Sequence, residues 1–165
     1  MTLLAAPDTA ITVEAIAKKA GLGAATVVRA FGGKDALLDA AVSRLLEPVV
    51  QRARDLLAET TPYQALRAFL GELIAFQTAH HAVNDYLGGL DLPATTALRA
   101  SLTAAVEEMV DGAWRDGAIR TDLDPAVLRT LIERTVVAVA CVQPPSPDLT
   151  DAYLTILLDG LRPTP

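Results

Sequence analysis

The sequence predicts an all-α protein, a small N-terminal helical unit (residues 1–40) followed by a C-terminal helical bundle (residues 41–165). Three observations predict it. Hydrophobic residues make up 52% of the chain and aromatics only 4%, with alanine and leucine dominant and few β-branched runs, a composition that favours helix. Apolar residues recur at intervals of three and four through most of the chain, the period of a helix with one buried face. Between those runs stand glycines and prolines at helix-terminating spacings.

The elements follow in order. Thr12 is placed to cap a short helix carrying Val13, Ile16 and Ala17 to about Lys19, with Glu14 favourable in the first turn. Gly21 stops it, a second short helix starts at Gly23 or Ala24 and reaches Ala30, and Gly32-Gly33 breaks the chain again. The longest amphipathic run, Leu37 to Leu57, predicts a connecting helix bent at Pro48. Thr61-Pro62 opens the next helix, which carries Leu66, Phe69, Leu70, Leu73, Ile74 and Phe76 to about His81. Asn84 to Pro93 is turn-rich, with one short helical turn around Tyr86. Leu98 to Trp114 predicts another long helix closed at Gly117, and Asp124-Pro125 caps the one after. That helix ends in VVAVACV, Val136 to Val142, apolar on every side and therefore in need of cover all round. QPPSP, Gln143 to Pro147, breaks the chain before a last helix from Leu149 to Gly160.

Charge divides unevenly along this plan. Net charge is −6, yet residues 12–34 carry Lys18, Lys19, Arg29 and Lys34 against Glu14 alone, while residues from 51 onward hold 9 basic and 15 acidic side chains. A basic unit before an acidic body suits a short segment near phosphate. The single cysteine, Cys141, forms no internal disulfide and sits in an apolar run that predicts inert packing. No secretory leader opens the sequence, and no stretch of about 18 apolar residues spans a bilayer, which points to a cytoplasmic protein away from membranes. Phosphate-binding loops, dinucleotide fingerprints, nucleophile elbows and metal-ligand clusters are missing, so neither an enzyme nor a cofactor is expected. His80-His81 makes a weak metal pair, since adjacent helical residues point about 100° apart.

Ala17, Gly21 and Val27 have the spacing of a helix-turn-helix: a small residue for helix approach, a glycine in the turn, and a β-branched plug in the shared core. The stretch TVEAIAKKAGLGAATVVRAFGGKDALLDA resembles the DNA-binding segment of tetracycline-repressor (TetR/AcrR) transcriptional regulators, through Thr12, Ile16, Ala17, Ala20, Gly21, Thr26, Phe31, Lys34 and Leu37. GAIRTDLDPAVL, Gly117 to Leu128, is similar to the loop between that family's seventh and eighth helices, and LLDGLRP, Leu157 to Pro163, to its closing helix.

The resemblance implies a homodimer that reads a palindromic operator with its N-terminal domains and responds to a small apolar effector in its C-terminal helices. It implies that the last two helices form the dimer interface. It places Thr12, Ala24, Ala25, Thr26, Val28, Arg29 and Lys34 at DNA, with Arg29 in the groove or on the backbone and Lys34 on phosphate. Three positions depart from the family: Gly23 stands where a capping serine is common, and Val28 and Ala30 where tyrosine or histidine usually touches phosphate. Only eleven residues precede Thr12, Pro7 among them, so the first helix is expected to be short or missing. These departures keep open a second reading, a dimeric ligand-binding or interaction protein without DNA binding. The effector-pocket candidates are Phe69, Leu73, Phe76, Gln77, His80, Met109 and Trp114, whose spacing fits core packing equally; Gln77, His80 and Trp114 carry polar handles.

Overall fold

The computed structural model describes residues 32–86, 90, 92–142 and 146–163, with 81–86 as backbone alone. Among the described residues there are five α-helices and no strand: α1 (Lys34–Glu59), α2 (Pro62–Tyr86), α3 (Pro93–Arg115), α4 (Pro125–Ala140) and α5 (Pro147–Gly160).

Each helix boundary has a local chemical cause. Gly32 and Gly33 precede α1 with φ of 81° and 142°, a pair of backbone conformations that side-chain-bearing residues rarely adopt. At α2, the Thr61 hydroxyl accepts from the Gln64 N–H (3.4 Å) while the Gln64 side-chain oxygen accepts from the Thr61 N–H (3.2 Å), a reciprocal capping box. Helix α3 ends in a Schellman motif at Gly117 (φ 65°): Gly117 N–H donates to the Trp114 carbonyl and Ala118 N–H to that of Ala113. The Asp124 carboxylate accepts from the Ala126 N–H at 2.7 Å to start α4. Ser146 accepts from the Leu149 N–H to start α5, with Pro147 in the first turn rather than in the preceding break.

Two expected boundaries are corrected. Helix α2 runs through Asn84 and Tyr86, where the sequence predicts a turn-rich stretch, because its helical hydrogen bonding continues past His81 despite the polar sequence. Helix α3 begins at Pro93, five residues before the first apolar position of its periodic run. Its early start depends on a remote side chain, Asp39 of α1. Helix α1 remains continuous through Pro48, which is exposed, so the Arg44 carbonyl that loses its intrahelical donor lies on the solvent side.

The described residues pack as two units. The first comprises residues 32–48 with the described residues of 80–99, and buries Leu37, Leu38, Val42, Leu46 and Leu92. The second comprises Val49–Ala79 and the chain from Ala100, and its core gathers Phe69, Leu70, Ile74, Met109, Val110, Ile119, Ile132 and Val136, all at most 2% exposed. Truncating such a residue removes both its transfer free energy and its packing partners, about 3–5 kcal/mol for a phenylalanine like Phe69.

Polar contacts tie the second unit together. Asp111 and Arg129 pair between α3 and α4, Thr135 and Tyr153 share a 2.7 Å hydrogen bond between α4 and α5, and Arg52 on α1 grips both carboxylate oxygens of Glu72 on α2. The Arg52–Glu72 pair is half-exposed and screened by solvent, so it sets geometry more than stability.

Candidate functional site

Six of the seven residues expected at DNA, Thr12, Ala24, Ala25, Thr26, Val28 and Arg29, lie outside the described residues. Lys34 is described: it is the first residue of α1, half-buried, directly after the two glycines. A Cβ at Gly32 or Gly33 would meet no atom within 4 Å, so backbone conformation alone favours glycine there. Those two residues set the direction in which the chain enters α1, and Lys34 stands at that entry.

The seven effector-pocket candidates fall in different surroundings. Phe69 and Met109 are fully buried and Leu73 nearly so, all three within the core of the second unit. Trp114 is half-buried against that core, and its indole N–H donates to the Leu123 carbonyl at 3.0 Å, so its polar handle is already engaged. Phe76 and Gln77 are half-buried in the same unit, whereas His80, also half-buried, belongs to the first. Among the described residues no group of three or more His, Cys, Asp or Glu side chains could hold a metal. None of the described helices is long and apolar enough to cross a membrane.

Helices α4 and α5 leave a broad apolar surface uncovered. Val136 and Ala140 are buried, but Val127 (49% exposed), Leu131 (51%), Val137 (45%), Val142, Leu149 and above all Ile156 (73%) are not. One chain therefore covers only one side of the all-apolar run. Cys141 is corrected accordingly: it is exposed at the C-cap of α4, not packed in the core, because the helix turns its other face inward there. Five of these large apolar side chains lie on the two packed helices, and Val142 stands just past the end of α4.

Asp39 is a residue that sequence reasoning missed. It is 8% exposed, and it is the only buried charged residue among those described. Its two carboxylate oxygens accept from the Ala94 N–H (3.0 Å) and the Thr95 N–H (2.7 Å) at the first turn of α3. Leu92 precedes Pro93 and has no side-chain acceptor, so Asp39 on α1 supplies the cap that the local sequence lacks. No N–H of that first turn is left over: Pro93 has none, Ala94 and Thr95 bond Asp39, and Thr96 N–H bonds the Leu92 carbonyl. Burial works to raise the Asp39 pKa, but the neighbouring Thr95 hydroxyl and the two amides outweigh it and hold the carboxyl below its usual range. That hydroxyl is buried beside the carboxylate, outside good hydrogen-bonding geometry. The signal was an acidic residue on the apolar face of the α1 periodicity, and only the tertiary contact explains it.

Comparison with known proteins assigns this architecture. Residues 61–163 match the family model described as "Transcriptional regulator SbtR-like, C-terminal domain", and residues 9–41 match that of the bacterial regulatory proteins of the tetR family. A TetR transcriptional regulator from Streptomyces coelicolor is 31% identical, with 92% of this chain and 87% of that one covered and a TM-score of 0.65. A TetR transcription regulatory protein from Mycobacterium vanbaalenii is also 31% identical, covering 96% and 87% with a TM-score of 0.66. FadR from Bacillus subtilis, solved in complex with stearoyl-CoA, shares the fold at a TM-score of 0.72 and 17% identity, over 92% and 89% of the chains. No curated protein matches with significance. The chain belongs to the TetR family of bacterial transcriptional regulators. It has that family's all-α arrangement of an N-terminal helix-turn-helix segment and a C-terminal helical domain.

Proposed function

We propose that this protein is a cytoplasmic, ligand-responsive repressor that binds a palindromic operator as a homodimer and answers to a small apolar effector. The observation that carries the reading is the match of residues 9–41 to the model of the bacterial regulatory proteins of the tetR family, a span that includes the Gly32-Gly33 turn and runs into the first turns of α1. The basic excess of residues 12–34 supports phosphate contact by Arg29 and Lys34, and the exposed apolar surface of α4 and α5 supports pairing of two chains there. Two-fold symmetry would set the recognition helices about 34–36 Å apart, one turn of duplex. An apolar effector is favoured by the largely apolar lining candidates and by the fold shared with a regulator solved with stearoyl-CoA. The reading needs no catalysis. Selection of bound duplexes from a random pool, followed by titration of the selected sequence against salt, tests it.

A second reading is a dimeric ligand-binding or interaction protein that does not bind DNA. Gly23, Val28 and Ala30 favour it, because they remove a cap and two phosphate contacts at the recognition helix. Loss of a measured operator complex in the Arg29→Ala, Lys34→Ala double variant would exclude it.

A further inference from the structure

Arg134 stands in the middle of the side of α4 that one chain leaves uncovered. Val127, Leu131, Arg134, Ala138 and Cys141 are exposed and follow one another at helical spacing along one face, and Arg134 is the only charged residue in that row. Its helical neighbours three and four residues away are Thr130, Leu131, Val137 and Ala138, so α4 itself offers it no carboxylate. Among the described residues it has no ionic partner, whereas Arg120, Arg129 and Arg162 each hold an aspartate of their own chain. Helix α5 is the complement, with three aspartates and neither lysine nor arginine. Asp148 and Asp151, on its first two turns, are exposed and hold no cation among the described residues. A guanidinium open to water is well solvated, but cover by another surface desolvates it, and a cover that leaves it unpaired is penalised heavily. The row therefore accepts only a surface that brings a carboxylate.

Height along the helices narrows the choice. Thr135 stands as far before the α4 C-cap, Cys141, as Tyr153 stands after Pro147, and their hydroxyls are bonded at 2.7 Å, so α4 and α5 run antiparallel with Arg134 level with the middle of α5. Arg134 is also midway between Val127 and Val142, the first and last large exposed apolar residues along α4 and its border. A self-complementary contact has its two-fold axis at its middle, so mid-height residues of one chain meet mid-height residues of the other. Arg134 then faces either its own counterpart or the acidic side of the partner's α5, and only the second arrangement neutralises it. Resting on the homodimer reading, we infer that Arg134 selects the partner: a second copy of this chain is recognised through ion pairs of Arg134 with the partner's Asp148 and Asp151, made twice by symmetry. These pairs fix the register of the apolar contact and reject a similar helix pair without the acids, a discrimination that apolar side chains alone do not provide.

The test is a charge exchange between chains, made on the full-length protein and read by sedimentation velocity over a concentration series. Arg134→Glu sets an acid against the partner's acids, and Asp148→Lys with Asp151→Lys sets lysines against the partner's arginine. Each variant alone should self-associate about a hundredfold more weakly than the wild type, with helicity by circular dichroism unchanged because the altered side chains are exposed. Mixed in equal amounts, the two variants restore both opposite-charge contacts, so they should form a one-to-one dimer within about tenfold of the wild-type affinity. If the double lysine variant does not fold, Asp151→Lys alone takes its place. Self-association unchanged in Arg134→Glu, or no rescue in the mixture, would overturn the ion pairs while leaving the homodimer intact. Tighter pairing of Arg134→Glu with the wild type than of the wild type with itself would also overturn them, since it sets the two arginines opposite each other. If the wild type stays monomeric throughout the series, the homodimer reading falls first and the ion pairs with it.

Discussion

Gly112 on α3 lies so close to Pro62 at the start of α2 that a Cβ on the glycine would stand 2.6 Å from the proline Cγ. The obstructing atoms belong to a closed ring that cannot swing aside. Alanine is the better helix former by about 1 kcal/mol, but overpacking of this kind costs about 1–3 kcal/mol, so the clash prevails. Gly112→Ala should therefore destabilise the protein by about 1 kcal/mol in urea unfolding. Gly160→Ala is the control: nothing lies within 4 Å of its Cβ and its φ is ordinary, so at the last residue of α5 its unfolding midpoint should hold or rise slightly, never fall.

Tyr153 provides a second test. Burial raises its pKa above the usual phenol value of 10.0, and the hydrogen bond with Thr135 opposes only part of that. A phenol whose folded pKa is raised stabilises the fold fully below its unfolded pKa and loses that contribution as pH rises through the folded value. Wild-type stability should fall above pH ~10, and Tyr153→Phe should flatten that decline. At neutral pH the variant should lose about 0.5–1.5 kcal/mol. Thr135 is not stranded by the change, since its hydroxyl also donates to the Leu131 carbonyl at 2.6 Å.

Asp39 predicts the acid limb. Its folded pKa is depressed, so its contribution is present above the unfolded carboxylate value and is lost as pH falls through the folded one. Unfolding midpoints should decline below pH ~4, with a shallower slope in Asp39→Asn, and Asp39→Ala should cost about 1–2 kcal/mol at pH 7 through the lost cap.

Much of this arrangement was legible in the sequence, and the exceptions share a cause. Asp124-Pro125, Thr61-Pro62 and Gly117 announced their boundaries because each acts on a backbone within five residues of itself. The start of α3 was not legible, since its cap comes from Asp39, more than fifty positions earlier. Nor was the uncovered side of α4: periodicity marks Val136 to Val142 as apolar throughout without saying which residues the same chain will bury. The two stretches resembling family motifs outside the N-terminal segment meet in space. Arg120 N–H donates to the Leu161 carbonyl at 2.8 Å, and the Arg120 guanidinium bonds the Gly160 carbonyl and Asp122. Of the candidate pocket, residue types were readable and occupancy was not, because core and cavity linings share one composition and one spacing.

The proposed pairing of two chains through α4 and α5 predicts a change in mass. Placing a carboxylate in the apolar patch desolvates it against a like charge on the partner. Leu131→Glu combined with Ile156→Glu should convert a dimer to a folded monomer in sedimentation velocity and weaken operator binding. Both side chains are more than half exposed in one chain, so the fold itself should survive.

The most direct measurement is equilibrium binding of the purified protein to a selected duplex against a random one, across a salt series. An operator-binding repressor should show a preference of about 10³-fold or more, an affinity falling linearly with log salt, and a shallower slope in the Arg29→Ala, Lys34→Ala variant. Equal affinity for the two duplexes at low salt would contradict that role.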